Sequence, residues 1–255
     1  MPNTLASIQS YIRDTAADGR ELERIGPFLA TFSRNSTNPF LNYAIPDTGA
    51  RPSRSDVDGL IAAYRQRALL PRLEFLTESA PDVEAVLVNA GFDLERRVPL
   101  MVCPPGSVVA QPRLDGIELL VPKSDAEFEG MSNAQNEAFG EPGGITAAGI
   151  EHAREQLELG GLATLARDGE TGEPAGGGVG TPLRYGITEL AGIGVREQYR
   201  QRGIGAAITE FLAHEAYARG GRTVFLTPGG IPEERLYARV GFVPAGECVH
   251  LRLTS

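Results

Sequence analysis

A chain of 255 residues has room for one large domain or two small ones. Its composition, 42% hydrophobic and 22% charged, is that of an ordinary soluble globular protein. The net charge of −9 argues against nucleic-acid binding, which needs a basic surface. The start, MPNTLASIQSYIRDTAADGR, lacks the basic and apolar regions of a signal peptide, and no apolar run approaches membrane-spanning length. The cytoplasm is the expected location. Cys103 and Cys248 are the only cysteines, neither in a C-x-x-C pair, and His152, His214 and His250 are scattered, so no metal site is expected.

In the first half, Thr4 to Ile25 and Val57 to Leu69 read as helices, Leu73 to Thr77 as a strand, and Pro81 to Asn89 as a helix closed by Gly91. Pro/Gly punctuation at Cys103-Pro-Pro-Gly-Ser107, continued through Gly116, marks a linker. The expected division is a domain over 1–107, a linker over 108–116 and a second domain over 117–255. In the second half Ile117 to Val121 reads as a strand and Asp125 to Phe139 as a helix capped by Ser124. A loop with Gly140, Gly143 and Gly144 follows, then a helix from Ile150 to Leu159 and a hairpin of Leu162 to Arg167 with Ala175 to Gly180. An apolar-rich strand runs from Ile187 to Val195. Next come the loop Arg200-Gln201-Arg202-Gly203-Ile204-Gly205 and a helix with Ile204, Ala207, Ile208, Phe211 and Leu212 on one face. Thr223 to Thr227 reads as the following strand.

The halves repeat each other. Phe75-Leu76-Thr77 matches Phe225-Leu226-Thr227 and Gly91-Phe92 matches Gly241-Phe242, both at an offset of 150 residues. The order strand, helix, Gly-Phe, apolar strand also recurs, which reads as a tandem duplication of one fold. Carried back by the same offset, Arg202 lands on Pro52, Gly203 on Ser53, Gly205 on Ser55 and Tyr237 on Leu87. Residues 1–107 hold no R-x-x-G-x-G.

Strand, glycine loop, helix is the layout of a phosphate cradle. Glycines admit close backbone approach, a helix N-terminus offers unpaired N–H donors, and Arg200 and Arg202 add charge. The loop is not a Walker motif, since no Lys-Ser/Thr follows, nor a dinucleotide fingerprint, since Ile208 stands where a third glycine belongs. R-x-x-G-x-G after a strand, followed by a strand and then by Leu236-Tyr237 and Gly241-Phe242, resembles the acetyl-CoA loop and the L-Y-x-x-x-G-F helix end of the GNAT N-acetyltransferase superfamily.

That resemblance implies an α+β fold of two tandem GNAT-like domains, each a mixed, mostly antiparallel central sheet flanked by helices. The first would be degenerate, without a cofactor loop, and the second catalytic. It also implies acetyl-CoA as co-substrate, with no metal. Arg200, Gln201, Arg202, Gly203, Ile204, Gly205 and Ala206 would hold the pyrophosphate, and the backbone of Ile193, Gly194 and Val195 the pantetheine and thioester. Gly192 and Gly194 fit a bulge or a close backbone approach; the alternative is an ordinary strand weakened by two glycines.

Tyr237 stands at the family's general-acid position. A phenol of pKa about 10 can protonate a thiolate of pKa about 8.5; the plainer reading is a tyrosine packed beside Leu236 on a core helix. Glu189, fourteen positions before Gly203, is the base candidate, since an arriving amine must lose a proton before it attacks. The plainer reading there is a solvent-facing strand residue, with water serving as base. His152, Phe139 and the glycines after it fall on the acceptor side by location. The expected activity is direct transfer to a primary amine of a small molecule, a peptide amine being second choice. A non-catalytic acetyl-CoA sensor or scaffold is the rival. No nucleic-acid or membrane partner is expected, and the chain is expected to be a monomer, its tandem halves sufficing, or a homodimer.

Overall fold

The computed structural model describes residues 2–34, 36–141 and 143–254. Its elements in chain order are α1 (Pro2–Ala16), β1 (Glu21–Ile25), β2 (Phe28–Phe32), β3 (Ala44–Pro46), α2 (Arg54–Gln66), β4 (Arg72–Leu76), α3 (Val83–Asn89) and β5 (Asp93–Cys103). They continue with β6 (Ile117–Leu120), α4 (Asp125–Phe139), α5 (Ala147–Glu158), β7 (Leu162–Asp168), β8 (Pro174–Gly180), β9 (Ile187–Val195), α6 (Ile204–Ala218), β10 (Thr223–Leu226), α7 (Ile231–Val240) and β11 (Val243–Arg252). The chain forms two compact units, Met1–Leu100 with Ala245–Ser255, and Met101–Pro244.

In the first unit β1, β2 and β3 pair antiparallel in succession, and β3 meets β4 in parallel through Ala44 and Leu73. β11 then pairs antiparallel with β4, from Cys248 opposite Leu76 to Arg252 opposite Arg72. Alternate residues of these two strands, Leu73, Phe75, Val249 and Leu251, share a core with Val57, Leu60 and Tyr64 of α2 and Val83 and Leu87 of α3. The expected single helix from Thr4 to Ile25 is a correction: α1 stops at Ala16, and Gly19, at φ +66°, turns the chain into β1. No pattern in the sequence marks the strands β1 to β3.

The other face of β4 and β11 carries a polar cluster beside Leu76 and Cys248. Arg72 is only 1% exposed. Its Nε donates to Glu95 Oε2 at 2.8 Å, its Nη2 to His250 Nδ1 at 2.8 Å, and it also pairs with Glu74. The Phe40 ring lies 4.6 Å from the guanidinium. A buried guanidinium is tolerable only with its donors satisfied in this way. Since His250 accepts at Nδ1, the neutral ring carries its proton on Nε2, which lies 3.7 Å from Cys248 Sγ.

In the second unit β6, β7, β8 and β9 form an antiparallel meander. β9 pairs parallel with β10, and β10 pairs antiparallel with the end of β5, Leu226 to Val224 opposite Met101 to Cys103. Leu190, Val224 and Leu226 face a core with Ile208 and Leu212 of α6 and Val240 of α7. Ala163 and Leu165 face Phe128 and Met131 of α4 on the other side. β8 is glycine-rich because helices close on both its faces. A Cβ on Gly177 would come within 2.5 Å of Met131 Cγ, and one on Gly178 within 2.7 Å of Ile208 Cγ2. α4 begins where expected, with Ser124 and Glu127 forming a capping box.

The tandem pattern appears in the elements. α2 begins at Arg54 and α6 at Ile204, and Gly91 and Gly241, at φ +95° and +106°, each follow the helix end. The matched Phe-Leu-Thr letters, however, do not occupy matched positions. Phe75 faces the α2/α3 core, whereas Val224 and Leu226 rather than Phe225 face α6 and α7. The strand has slipped one residue relative to the helices, which turns every side chain to the other face. The expected domain boundary also differs from the compact units. β11, the last strand of the second repeat, closes the first unit's sheet, and the end of β5 closes the second's. Both strands end their repeats, so nothing local in the sequence says which sheet receives which. The expected linker runs along the second unit as a strap: Val109 N–H donates to Val240 O, Gln111 N–H to Glu210 Oε2, and Gly116 O accepts from Gly169 N–H.

Burial, reinforced by Arg72 and Arg96, holds the His250 pKa below its ordinary value, against the opposing pull of Glu74 and Glu95. The folded state therefore takes up this proton less readily than the unfolded chain. The stability it confers is complete above the unfolded value of about 6.5 and declines as pH falls below it. Between pH 7 and pH 5, thermal melting of wild type will fall more steeply than that of His250→Gln, which keeps an acceptor for Arg72 but does not titrate. Parallel slopes would show that His250 is not the group responsible.

Candidate active site

The site is set by where a pairing stops. β10 pairs with β9 only over Thr223–Ile187, Val224–Thr188 and Phe225–Glu189. From Ala191 to Val195, β9 continues beside β8 alone among the described residues, so its other edge carries unpaired backbone donors and acceptors.

Within that edge the register against β8 shifts. Gly177 faces Gly194 and Val179 faces Ala191, so Gly192 and Ile193 together oppose Gly178. This is the bulge that the two glycines suggested. Gly192 sits at φ +61°, in the left-handed region. Its carbonyl accepts a 2.6 Å hydrogen bond from Gln135 Nε2 on α4. Gly194 is packed so closely that an added Cβ would lie 3.0 Å from Ala138 Cβ and 3.3 Å from Gln135 Cα. The extra residue returns Ile193 to the α6 side, where Leu190 already points.

The loop after β9 leads into α6 through Gln201 at φ +62° and Gly203 at φ +82°. Gly203 is the N-cap of α6 and supplies no capping side chain. The first N–H groups of the helix therefore face outward with the positive end of its dipole. The same position in the first unit is closed. Ser53 caps α2, accepting from Asp56 N–H, while Asp56 accepts back from Ser53 N–H at 2.7 Å. Those bonds with Ser53 hold the Asp56 pKa below its ordinary value. A carboxylate and a hydroxyl thus stand where an anion would bind.

The residues around the loop divide their work. Arg200 spends Nε on Val195 O at 3.1 Å and Nη2 on Ala138 O at 3.2 Å, tying the strand end to α4. Arg202 is exposed, with its guanidinium 5.6 Å from the Tyr199 ring centroid and a 3.5 Å contact to Asp115 O. Gly205 also serves packing, since a Cβ there would lie 3.1 Å from Leu236 Cδ1 on α7. Ile204 and Ala206 are buried in the α6 core. Alongside, a cavity of about 780 Å³ opens between the strap, Gln111 to Leu119, and Ala207 and Glu210 of α6. Neither Tyr237 nor Glu189 lines it.

Tyr237 joins the same core as Ile204, Ala206 and Leu190, its ring 6.2 Å from that of Phe242. Burial, with the nearby Glu233 charge, pushes its pKa up to about 12. Glu189 is the last β9 residue paired to β10. Strand alternation points its side chain to the face opposite that of Thr188 and Leu190. The two candidates thus lie on opposite faces of the strand whose edge is open. His152 and His214 are exposed on their helices, beside Glu155 and Glu210. Phe139, 58% exposed, ends α4 against Gly194. Nothing in the sequence points to Gln135, because a single glutamine on a helix carries no motif.

Residues 128–242 match the family model "Acetyltransferase (GNAT) family". The whole chain resembles the solved structure of a GCN5-related N-acetyltransferase from Kribbella flavida, with 25% identity, TM-score 0.82, and 98% and 96% of the two chains covered. A GCN5-related N-acetyltransferase from Sphaerobacter thermophilus matches at 18% identity and TM-score 0.70, over 96% and 84%. A tandem GNAT protein from the clavulanic acid biosynthesis pathway matches at 14% identity and TM-score 0.65, over 97% and 86%. No curated protein matches the sequence.

The fold is that of the tandem GNAT proteins, and residues 128–242, within the second unit, carry the match to the GNAT acetyltransferase family. Members of that family generally use acetyl-CoA. Among the described residues no helix is long and apolar enough to cross a membrane.

Proposed function

We propose that the chain transfers an acetyl group from acetyl-CoA to a primary amine of a small molecule, directly and within a ternary complex. The observation that carries this reading is an uncapped helix N-terminus, that of α6, placed straight after a strand whose edge is open from Ala191 to Val195. The first feature suits a pyrophosphate and the second an extended amide chain that ends in a thioester. Gln201 to Ala206 would hold the phosphates, with Arg202 adding charge. The backbone of Ile193, Gly194 and Val195 would hold the pantetheine arm. Acetyl-CoA, when bound, supplies the activated acetyl group.

Glu189 would take a proton from the amine, whose nitrogen forms the new C–N bond as the C–S bond breaks. Tyr237 would give its proton to the departing sulfur. A pKa of about 12 keeps Tyr237 fully protonated at neutral pH, ready to donate, though a weaker acid than a free phenol. An acyl-enzyme route finds little support in the cysteines. Burial pushes the Cys103 thiol up to about 11, and Cys248 belongs to the first unit. The closed N-terminus of α2 argues for one acetyl-CoA per chain.

Arg202→Ala should weaken acetyl-CoA binding by about 1–3 kcal/mol in calorimetry and affect phosphate-free pantetheine fragments much less. Equal losses would remove the phosphate role. Tyr237→Phe should lower kcat by about 10²–10⁴ with KM for acetyl-CoA little changed, and wild type should show no alkaline loss from this group below about pH 11. Full kcat in the variant would leave Tyr237 as a packing residue. Glu189→Gln should slow turnover mainly at low pH, where the acceptor amine arrives protonated. An unaltered pH profile would assign the base to water. Tight acetyl-CoA binding without turnover across a broad amine panel would favour the sensor reading instead.

A further inference from the structure

The peptide between Gly192 and Ile193 is turned out of the sheet. Carbonyls of a regular strand lie in the plane of the ladder, bonded to neighbouring strands. The Gly192 carbonyl is instead bonded at 2.6 Å by Gln135, a residue of a helix packed on the sheet's face. The φ of +61° at Gly192 makes the rotation possible, and no peptide among the described residues is cis. In a planar trans peptide the N–H points opposite to the C=O. With the Gly192 oxygen drawn toward α4, the Ile193 N–H is aimed away from α4, toward the α6 side where the glycine loop begins.

We propose that Gln135 is a positioning residue: by holding the Gly192 carbonyl it fixes the Ile193 N–H as a preorganised donor to the thioester carbonyl oxygen. This rests on the acetyl-CoA reading of the site. A donor already aimed where negative charge develops needs no reorganisation during the reaction, so losing its support acts on kcat more than on binding. The surroundings leave Gln135 little freedom. Gly194 packs on its Cα, and a Cβ on Gly192 would lie 2.8 Å from its Nε2. Neighbouring Ala138 is tied through its carbonyl to Arg200, which also binds Val195 O. α4 is thereby joined to both ends of the turned segment.

Gln135→Glu tests the idea, because it keeps the shape while an ionised carboxylate has no N–H to donate. Gly192→Ala provides a second route, since its Cβ displaces the same amide. The expected results are a retained fold by circular dichroism, a shifted Ile193 amide resonance in the protein without ligand, and kcat lower by about 10–100-fold with KM for acetyl-CoA within about threefold. An unshifted Ile193 amide with wild-type kcat in a folded Gln135→Glu protein would overturn the positioning role. Should Gln135→Glu not fold, a folded Gly192→Ala with wild-type kcat would overturn it equally. Titrating wild type with acetyl-CoA separates the two levels: if the amides of Ile193 to Val195 do not respond, the cofactor reading falls and the role assigned to Gln135 falls with it.

Discussion

Parallel pairing between β9 and β10 lasts three residues, and the function proposed for the second unit depends on its ending there. Two strands that stayed together would satisfy each other's backbone groups and leave nothing to offer a ligand. Because β10 ends at Leu226 while β9 runs on to Val195, a length of strand edge is left open. Edges of this kind are hazards in most proteins. Here the edge is short, interrupted by a bulge, and flanked by α4 and by the start of α6. Those features discourage a second strand from adding on while leaving room for a thin extended molecule.

The two halves show how little chemistry separates an open helix N-terminus from a sealed one. α2 and α6 begin at corresponding positions, one after serine and the other after glycine in the left-handed conformation. A side chain that satisfies the first N–H groups internally gives a helix about 1 kcal/mol of stability and removes its use as a cradle. Gly203 forgoes that stability. The first unit has the reverse arrangement, and its corresponding strand and helix positions, such as the fully buried Leu87, serve packing.

Much of this was legible in the sequence. The glycine loop, β9 and α4 fell where their patterns placed them, because apolar periodicity and caps are local signals. The bulge could be read from Gly192 and Gly194. Three things were not legible. β1 to β3 hid behind a helical start, since ELERI is charged and only Gly19 marks the break. The match of Phe75 to Phe225 misled, because identical letters one register apart face opposite sides of a sheet. Gln135 could not be found, since its importance lies in a carbonyl 57 residues away that only the fold brings to it.

The exchange of final strands bears on how the protein can be divided. Each unit's sheet is completed by a strand from the other half of the sequence, β11 beside β4 and the end of β5 beside β10. A gene encoding either half alone would leave a sheet without its closing strand and a strand without its sheet. The first unit cannot therefore be cut out by severing the chain at one point, since it needs residues from both ends of the sequence.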